Sequence, residues 1–295
     1  MASDRPGAHD VAAYLTRLGL DAEPPSVDGL ARLHAAHVER VPYETLWIHL
    51  GERWTTDPLA ALRRVAHQRR GGYCYQLNGA FALLLQSLGY RVTRHVGGVH
   101  HGSDPDPAAM SNHLVLVVHD LPDERSTDGR WYVDAGLGDA LHHPLPLVSG
   151  EHEQGPFRLR LDPTDDGVGD WHLTHDPAGS FGGMSFLIEP ADPEAFDDRH
   201  AFLSTSPESG FVRTMTAQCR HADRVDVLRG LTLSRLGVDT TWTGTLERRR
   251  DWLGALADVF GLVPDPTVHD IGALWARARD QHESWLSAEG ARASA

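Results

Sequence analysis

The chain has 295 residues, 41% of them apolar and 7% aromatic, which is enough to bury a real core but long for a single one, so two or three packed subdomains are expected. Its 41 acidic residues outnumber 27 basic ones, and the resulting charge of -14 repels nucleic acid and anionic membrane; no apolar run is long enough to span a bilayer. Every one of the 27 basic residues is arginine, which excludes the chemistries that need a lysine: the P-loop, Schiff bases and Ser-Lys hydrolysis.

The elements follow in chain order. Val11, Tyr14, Leu15 and Leu18 lie on one helical face before the stop at Gly19. Ser26 caps a second helix carrying Leu30, Leu33 and Val38, and Asp57-Pro58 opens a third with Leu59, Leu62 and Val65. Cys74 then begins a segment with Leu77, Phe81, Leu84, Leu85 and Leu88, apolar enough to be the central helix of its subdomain, closed at Gly89. From Tyr90 the period shortens to that of strands: 91–96, 114–118, 131–135, 157–161 and 171–174. Turn clusters at Gly102-Ser103-Asp104-Pro105, Ser126 to Gly129 and Asp162 to Gly167 separate them, so the middle of the chain reads as a small antiparallel barrel or sandwich. The last third mixes both periods, with strands expected over 211–218, 225–228 and 231–236, and helices carrying Leu253 to Phe260 and Ile271 to Trp275. The expected division is 1–95, 96–200 and 201–295.

Two cysteines, Cys74 and Cys219, stand far apart with no CxxC, so free thiols are expected rather than a disulfide framework or a metal finger. Cys74 follows Arg70-Gly71-Gly72-Tyr73 at the start of a helical pattern, where backbone N–H groups and the helix dipole favour a thiolate. Position alone does not separate such a nucleophile from a buried, inert thiol. Two further residues weigh on the question. His113 begins the run to Val118, and Asp134 lies near the end of Trp131 to Ala135, with a turn-rich connection between them. Paired antiparallel, these runs place imidazole and carboxylate at one end of the sheet, facing the helix that starts at Cys74. Cys, His and Asp in that order supply a nucleophile, its base and a carboxylate that fixes the tautomer of the base.

Arg70 to Gly79 closely resembles the signature of the arylamine N-acetyltransferases, an Arg-Gly-Gly-aromatic-Cys run carrying the nucleophile. Val41 to Leu46 is similar to that family's early Pro-Phe-Glu-Asn segment, Asn112-His113-Leu114 to its His-bearing strand, and Val133 to Gly138 to its Asp-bearing strand and loop. The resemblance runs from about Val11 to Leu236. It implies an α+β fold: a helical first domain with the nucleophile, a β-barrel second domain with the His and Asp, and an α/β lid, around a papain-like core. It implies ping-pong acyl transfer, in which Cys74 takes an acetyl or other acyl group from acetyl-CoA and passes it to an arylamine or hydrazine, with His113 relaying protons and Asp134 orienting it. By the same resemblance Gly136, Leu137 and Gly138 line the acyl and cofactor site, and Tyr43 and Val99 lie near the acceptor pocket. Thr45, Gln76 and Leu137 depart from the family's usual Asn, Glu and Phe; losing that Phe ring removes a stacking surface worth about 0.5 to 1.5 kcal/mol and points to a different acceptor preference.

The family also holds amide synthases that draw on carrier-protein thioesters, which is the alternative donor. The triad order alone also fits a cysteine protease, and a misaligned triad a binding protein. Gly136-Leu137-Gly138 lacks the third glycine and the helix start of a dinucleotide site. His100, His101, His142 and His143 lack a metal-ligand spacing, so no metal is expected. Arg69, Arg70, Arg91 and Arg94 are candidates for coenzyme A phosphates, and Arg70 equally for bracing the nucleophile loop. MASDRPGAHD shows no apolar leader, so a cytoplasmic enzyme without membrane or nucleic-acid partners is expected.

Overall fold

The computed structural model describes residues 5–102 and 104–293. Ser103, within the turn expected at Gly102 to Pro105, lies outside the described residues, as do the first four and last two positions of the expected division.

The chain opens with α1 (Ala8–Leu18), α2 (Val27–Arg40), β1 (Tyr43–Glu44), α3 (Leu46–His49), α4 (Pro58–Gln68) and α5 (Cys74–Ser87). The expected caps are in place: Ser26 accepts from the Gly29 N–H, Asp57 from that of Leu59, and Gly19 closes α1 with φ +64°. Every residue of α5 from Cys74 to Leu85 is buried, the apolar ones in the cores and the polar Gln76 and Asn78 through hydrogen bonds. Tyr14, Leu18, Leu30, Leu62 and Val65 pack with its Phe81 to form the first core.

Strands β2 (Arg91–His100), β3 (His113–His119), β4 (Trp131–Val133), β5 (Leu145–Pro146), β6 (Gly150–Gln154), β7 (Phe157–Pro163), β8 (Trp171–Thr174) and β9 (Gly183–Pro190) form one antiparallel sheet in the order β5-β4-β3-β2-β9-β8-β7-β6. It curls into a barrel-like wall whose interior holds Tyr132, Phe157, Leu159, Leu173, Met184 and Phe186. The pleat of β3 divides the two cores: Leu116 and Val118 turn to the helices, Val115 and Val117 to the barrel interior. On β4, Trp131 and Val133 likewise join the helical core and Tyr132 the barrel.

Two short helices, α6 (Asp197–Thr205) and α7 (Gly210–Arg213), lead to a second antiparallel sheet of β10 (Thr216–Arg220), β11 (Arg224–Arg229), β12 (Thr232–Gly237) and β13 (Thr241–Thr245). Helices α8 (Arg249–Phe260) and α9 (Ile271–Ala293) follow, and Leu228, Trp252, Leu256, Phe260 and Leu274 fill the core between them and the sheet. The single strand expected over 211–218 is divided. Ser209 Oγ accepts from the Phe211 N–H at 3.2 Å and starts a helical turn, and the strand begins only where Ala217 and Cys219 alternate into the core. The fold is thus α+β, with helices, a barrel-like sheet and an α/β region in chain order. β1, from the helical region, is the edge strand of the last sheet, pairing Tyr43 with Gln218 and Glu44 with Ala217.

Candidate active site

Cys74 is the first residue of α5, and the chain reaches it through a close approach that only glycine allows. A Cβ on Gly71 would fall 1.8 Å from the Pro42 carbonyl oxygen, and Gly72 has φ +142°. Glu44 N–H donates to the Gly72 carbonyl at 2.8 Å, which holds the loop before Cys74 to β1. Arg70 braces the same loop: it pairs with the buried Glu44 and with Glu52, both at 3.0 Å, and its guanidinium lies 4.9 Å over the Trp54 ring. Gln76 Oε1 accepts from the Tyr73 N–H at 3.3 Å, and its amide donates to Thr55 at 3.1 Å, so this glutamine closes the helix start. The first-turn N–H groups of α5 face the sulfur's end of the helix, where the dipole favours negative charge.

His113 and Asp134 come from adjacent strands. The β3–β4 register pairs Leu116 with Val133 and Val117 with Tyr132; extended by one step it sets Asp134 diagonally from His113 on the barrel-facing side. His113 Nε2 lies 2.7 Å from Asp134 Oδ2, with both side chains buried. That leaves Nδ1 as the ring nitrogen for Cys74. Burial works against the charged imidazole, but the Asp134 carboxylate and the Cys74 sulfur, by charge and hydrogen bond, outweigh it and push His113 up to about 10. Asp134 is itself held on every side. Tyr132 OH donates to Oδ2 at 3.0 Å, while Asn78 Nδ2 and the Gly136 N–H donate to Oδ1 at 2.8 and 3.0 Å. Asn78, one helical turn beyond Cys74, also bonds the Ala135 N–H at 2.8 Å and the Leu114 carbonyl at 2.6 Å, fastening both strands to α5.

The other expected positions surround this group. Gly136 lies against Cys74, since a Cβ there would stand 2.6 Å from Cys74 Cα. Gly138, with φ +80°, packs so closely on Gln218 that a Cβ would meet its Oε1 at 1.7 Å. Leu137 between them is buried in the barrel-side core. Tyr43, opposite Gln218, is half-buried; enclosure of its phenol, then the nearby Cys74 and Asp139, push it well above its usual range, with Arg229 opposing. Val99 exchanges backbone bonds of 2.8 and 2.9 Å with the Asn112 side chain, and the Asn112 carbonyl lies 3.6 Å from Cys74 Sγ. A cavity of about 500 Å³ opens beyond the Gly138 turn, walled by Asp139, Ser180, Val227, Arg229, His282 and Trp285.

Of the other arginines singled out, Arg69 is the left-handed cap of α4, Arg91 pairs with Asp120 on the surface, and Arg94 is half-buried beside a small cleft at Asp192. His142 pairs with Glu39 at 2.7 Å, and His100 stacks on His172. Cys219 is a buried core thiol pushed up to about 12 by burial and Asp226. The hydrogen-bonding roles of Asn78, Asn112 and Tyr132 escape the sequence reading, although Asn78 had a signal in its spacing of four from Cys74 on one helix face. An aromatic shell of Trp47, Trp54, Tyr73, Tyr75 and Phe196 encloses the sulfur, with Phe211 5.1 Å from the Tyr73 ring.

The N-acetyltransferase family model matches residues 26–267. An arylamine N-acetyltransferase of Mycolicibacterium smegmatis is 31% identical over 286 residues, covering 92% of this chain and 99% of the relative. Human arylamine N-acetyltransferase 1 is 29% identical over 249 residues, covering 76% and 82%. The solved structure of Mycobacterium marinum arylamine N-acetyltransferase in complex with CoA superposes with a TM-score of 0.78 at 29% identity, covering 91% of this chain and 98% of that one. The match extends over most of the chain in both sequence and fold, and the chain belongs to the arylamine N-acetyltransferase family of transferases.

Proposed function

We propose that this enzyme moves an acetyl group from acetyl-CoA to an arylamine or hydrazine through an acyl-cysteine at Cys74. The observation that carries the reading is the 2.7 Å contact of His113 with Asp134, which leaves the other imidazole nitrogen to a sulfur at a helix start. In the first half-reaction the Cys74 thiolate attacks the thioester carbonyl, and the coenzyme A thiolate leaves with the proton of the His113 imidazolium. In the second, the amine attacks the Cys74 thioester and gives its proton to His113, and the sulfur leaves as thiolate. Asp134, fixed by Asn78, Tyr132 and Gly136, holds the ring in the tautomer both steps require.

Gly136, Leu137 and Gly138 carry the donor past the sulfur, and the neighbouring cavity of about 500 Å³ accommodates the rest: Val225, Val227 and Leu236 suit an apolar arm, Arg229 a phosphate. Tyr43 and Val99 border the acceptor. The division at 1–95, 96–200 and 201–295, and a cytoplasmic location, belong to the same proposal; among the described residues no helix is long and apolar enough to cross a membrane. No observation favours a carrier-protein donor, and the relatives named above are arylamine N-acetyltransferases.

Initial velocities with acetyl-CoA varied at several fixed arylamine concentrations test the scheme. Ping-pong transfer gives parallel double-reciprocal lines; intersecting lines, or no acetylated amine, contradict it.

A further inference from the structure

The geometry points to Asp139 as a positioning residue that locks the wall of the 500 Å³ cavity to the loop touching the nucleophile, and so sets how well the acyl donor is used. The inference rests on the function proposed above.

Asp139 is 3% exposed. Its carboxylate accepts from the Ser180 N–H at 2.7 Å and from Ser180 Oγ at 2.9 Å, two charge-assisted bonds to one residue across the barrel mouth. On its own side, the Asp139 N–H donates to the Leu137 carbonyl at 3.0 Å, which makes it the last member of the turn that begins against Cys74 at Gly136. On the far side, Ala178, Gly179 and Ser180 line the cavity together with Asp139. This segment has no regular ladder to hold it, since β8 ends at Thr174 and β9 begins at Gly183.

A second contact supports the same junction. Gly179 rests on the His175 ring so closely that a Cβ would come within 2.3 Å of Cε1. His175 is fully shielded between Phe157 and Phe181, at 4.9 and 4.5 Å, and neither ring nitrogen has a hydrogen-bond partner. Its nearest charged group is Asp139, at 3.6 Å. Asp139 therefore faces the reactive loop through its backbone and the cavity wall through its carboxylate, while touching none of the groups assigned to bond making.

Ping-pong kinetics separate such a residue from a catalytic or merely structural one, because kcat/KM for each substrate reports only its own half-reaction. Asp139→Ala is expected to lower kcat/KM for acetyl-CoA about tenfold and to leave that for the arylamine within about twofold. Asp139→Asn keeps one acceptor for the Ser180 N–H, and Ser180→Ala keeps that N–H itself, so each should fall between wild type and Asp139→Ala. Iodoacetamide labelling of Cys74 should proceed at the wild-type rate in all three. Should Asp139→Ala fail to fold, the two milder variants carry the test. Equal losses in both half-reactions, or an unchanged kcat/KM for acetyl-CoA, overturn the inference. A wild-type protein that takes no acetyl group overturns the proposed function and this inference with it; active variants that keep wild-type donor kinetics overturn this one alone.

Discussion

At the scale of single residues, the site is a charge arrangement that the fold has already assembled. Asp134 accepts four contacts, from His113, Tyr132, Asn78 and Gly136, so its carboxylate is held in position before substrate arrives. The consequence is measurable without substrate. His113 is raised above its unfolded value near 6.5 to about 10, so the stability it adds is complete below the lower value and is lost as pH rises through the upper one. Unfolding free energy followed from pH 6 to pH 10.5 should therefore decline across that window in the wild type. In Asp134→Asn, which lacks the carboxylate, the decline should shrink or vanish, and kcat should fall by about 10³ to 10⁴. Matching pH slopes in the two proteins would show that the carboxylate does not hold the imidazolium.

At the scale of elements, glycine positions show how sequence becomes geometry. Gly136→Ala places a Cβ 2.6 Å from the Cα of Cys74 and must drive the loop off Cys74, so activity should fall by about 10²-fold. Gly254 lies inside α8 with its nearest neighbour 3.9 Å from a new Cβ, and there the same substitution should stabilise by about 0.5 to 1 kcal/mol. Thermal melts and initial rates on both variants check the contrast. Legibility in the sequence follows the same logic. The helices with capping residues and one apolar face, α1, α2 and α4, were readable, and so was α5 from Leu77, Phe81, Leu84 and Leu85. The strands β3 and β7 also declared themselves by β-branched or alternating residues. β6, reading Gly-Glu-His-Glu-Gln, did not, because as an edge strand it buries little and is specified by its partner β7. β1 has two residues and exists only because β10, far away in sequence, pairs with it. Cys74, His113 and Asp134 were visible as a set because motif, strand start and strand end each marked one of them. Asn78, Tyr132 and Asp139 were not: each acts through a partner that only the folded chain brings near.

At the scale of the whole molecule, the three regions share parts rather than merely touching. β1 from the helical region completes the last sheet, and Arg277 of α9 donates to the His49 carbonyl of α3 at 2.7 Å. Arg220 of β10, buried at 1% exposure, reaches the carbonyls of Ala140, His221 and Gln154. Unfolding should therefore be one cooperative event, with far-UV and near-UV signals changing together. Arg220→Ala should lower stability by about 3 kcal/mol by stranding those carbonyls, while keeping the single transition; two separated transitions in the wild type would refute the shared architecture.

The account depends most on a sulfur that can be acylated from a thioester. Intact-mass spectrometry of the protein mixed with acetyl-CoA, without an amine, measures this directly. One acetyl adduct is predicted, located by peptide mapping at Cys74, absent from Cys74→Ser and discharged when an arylamine is added. A protein that stays unmodified, or an adduct that persists in Cys74→Ser, would contradict the central claim.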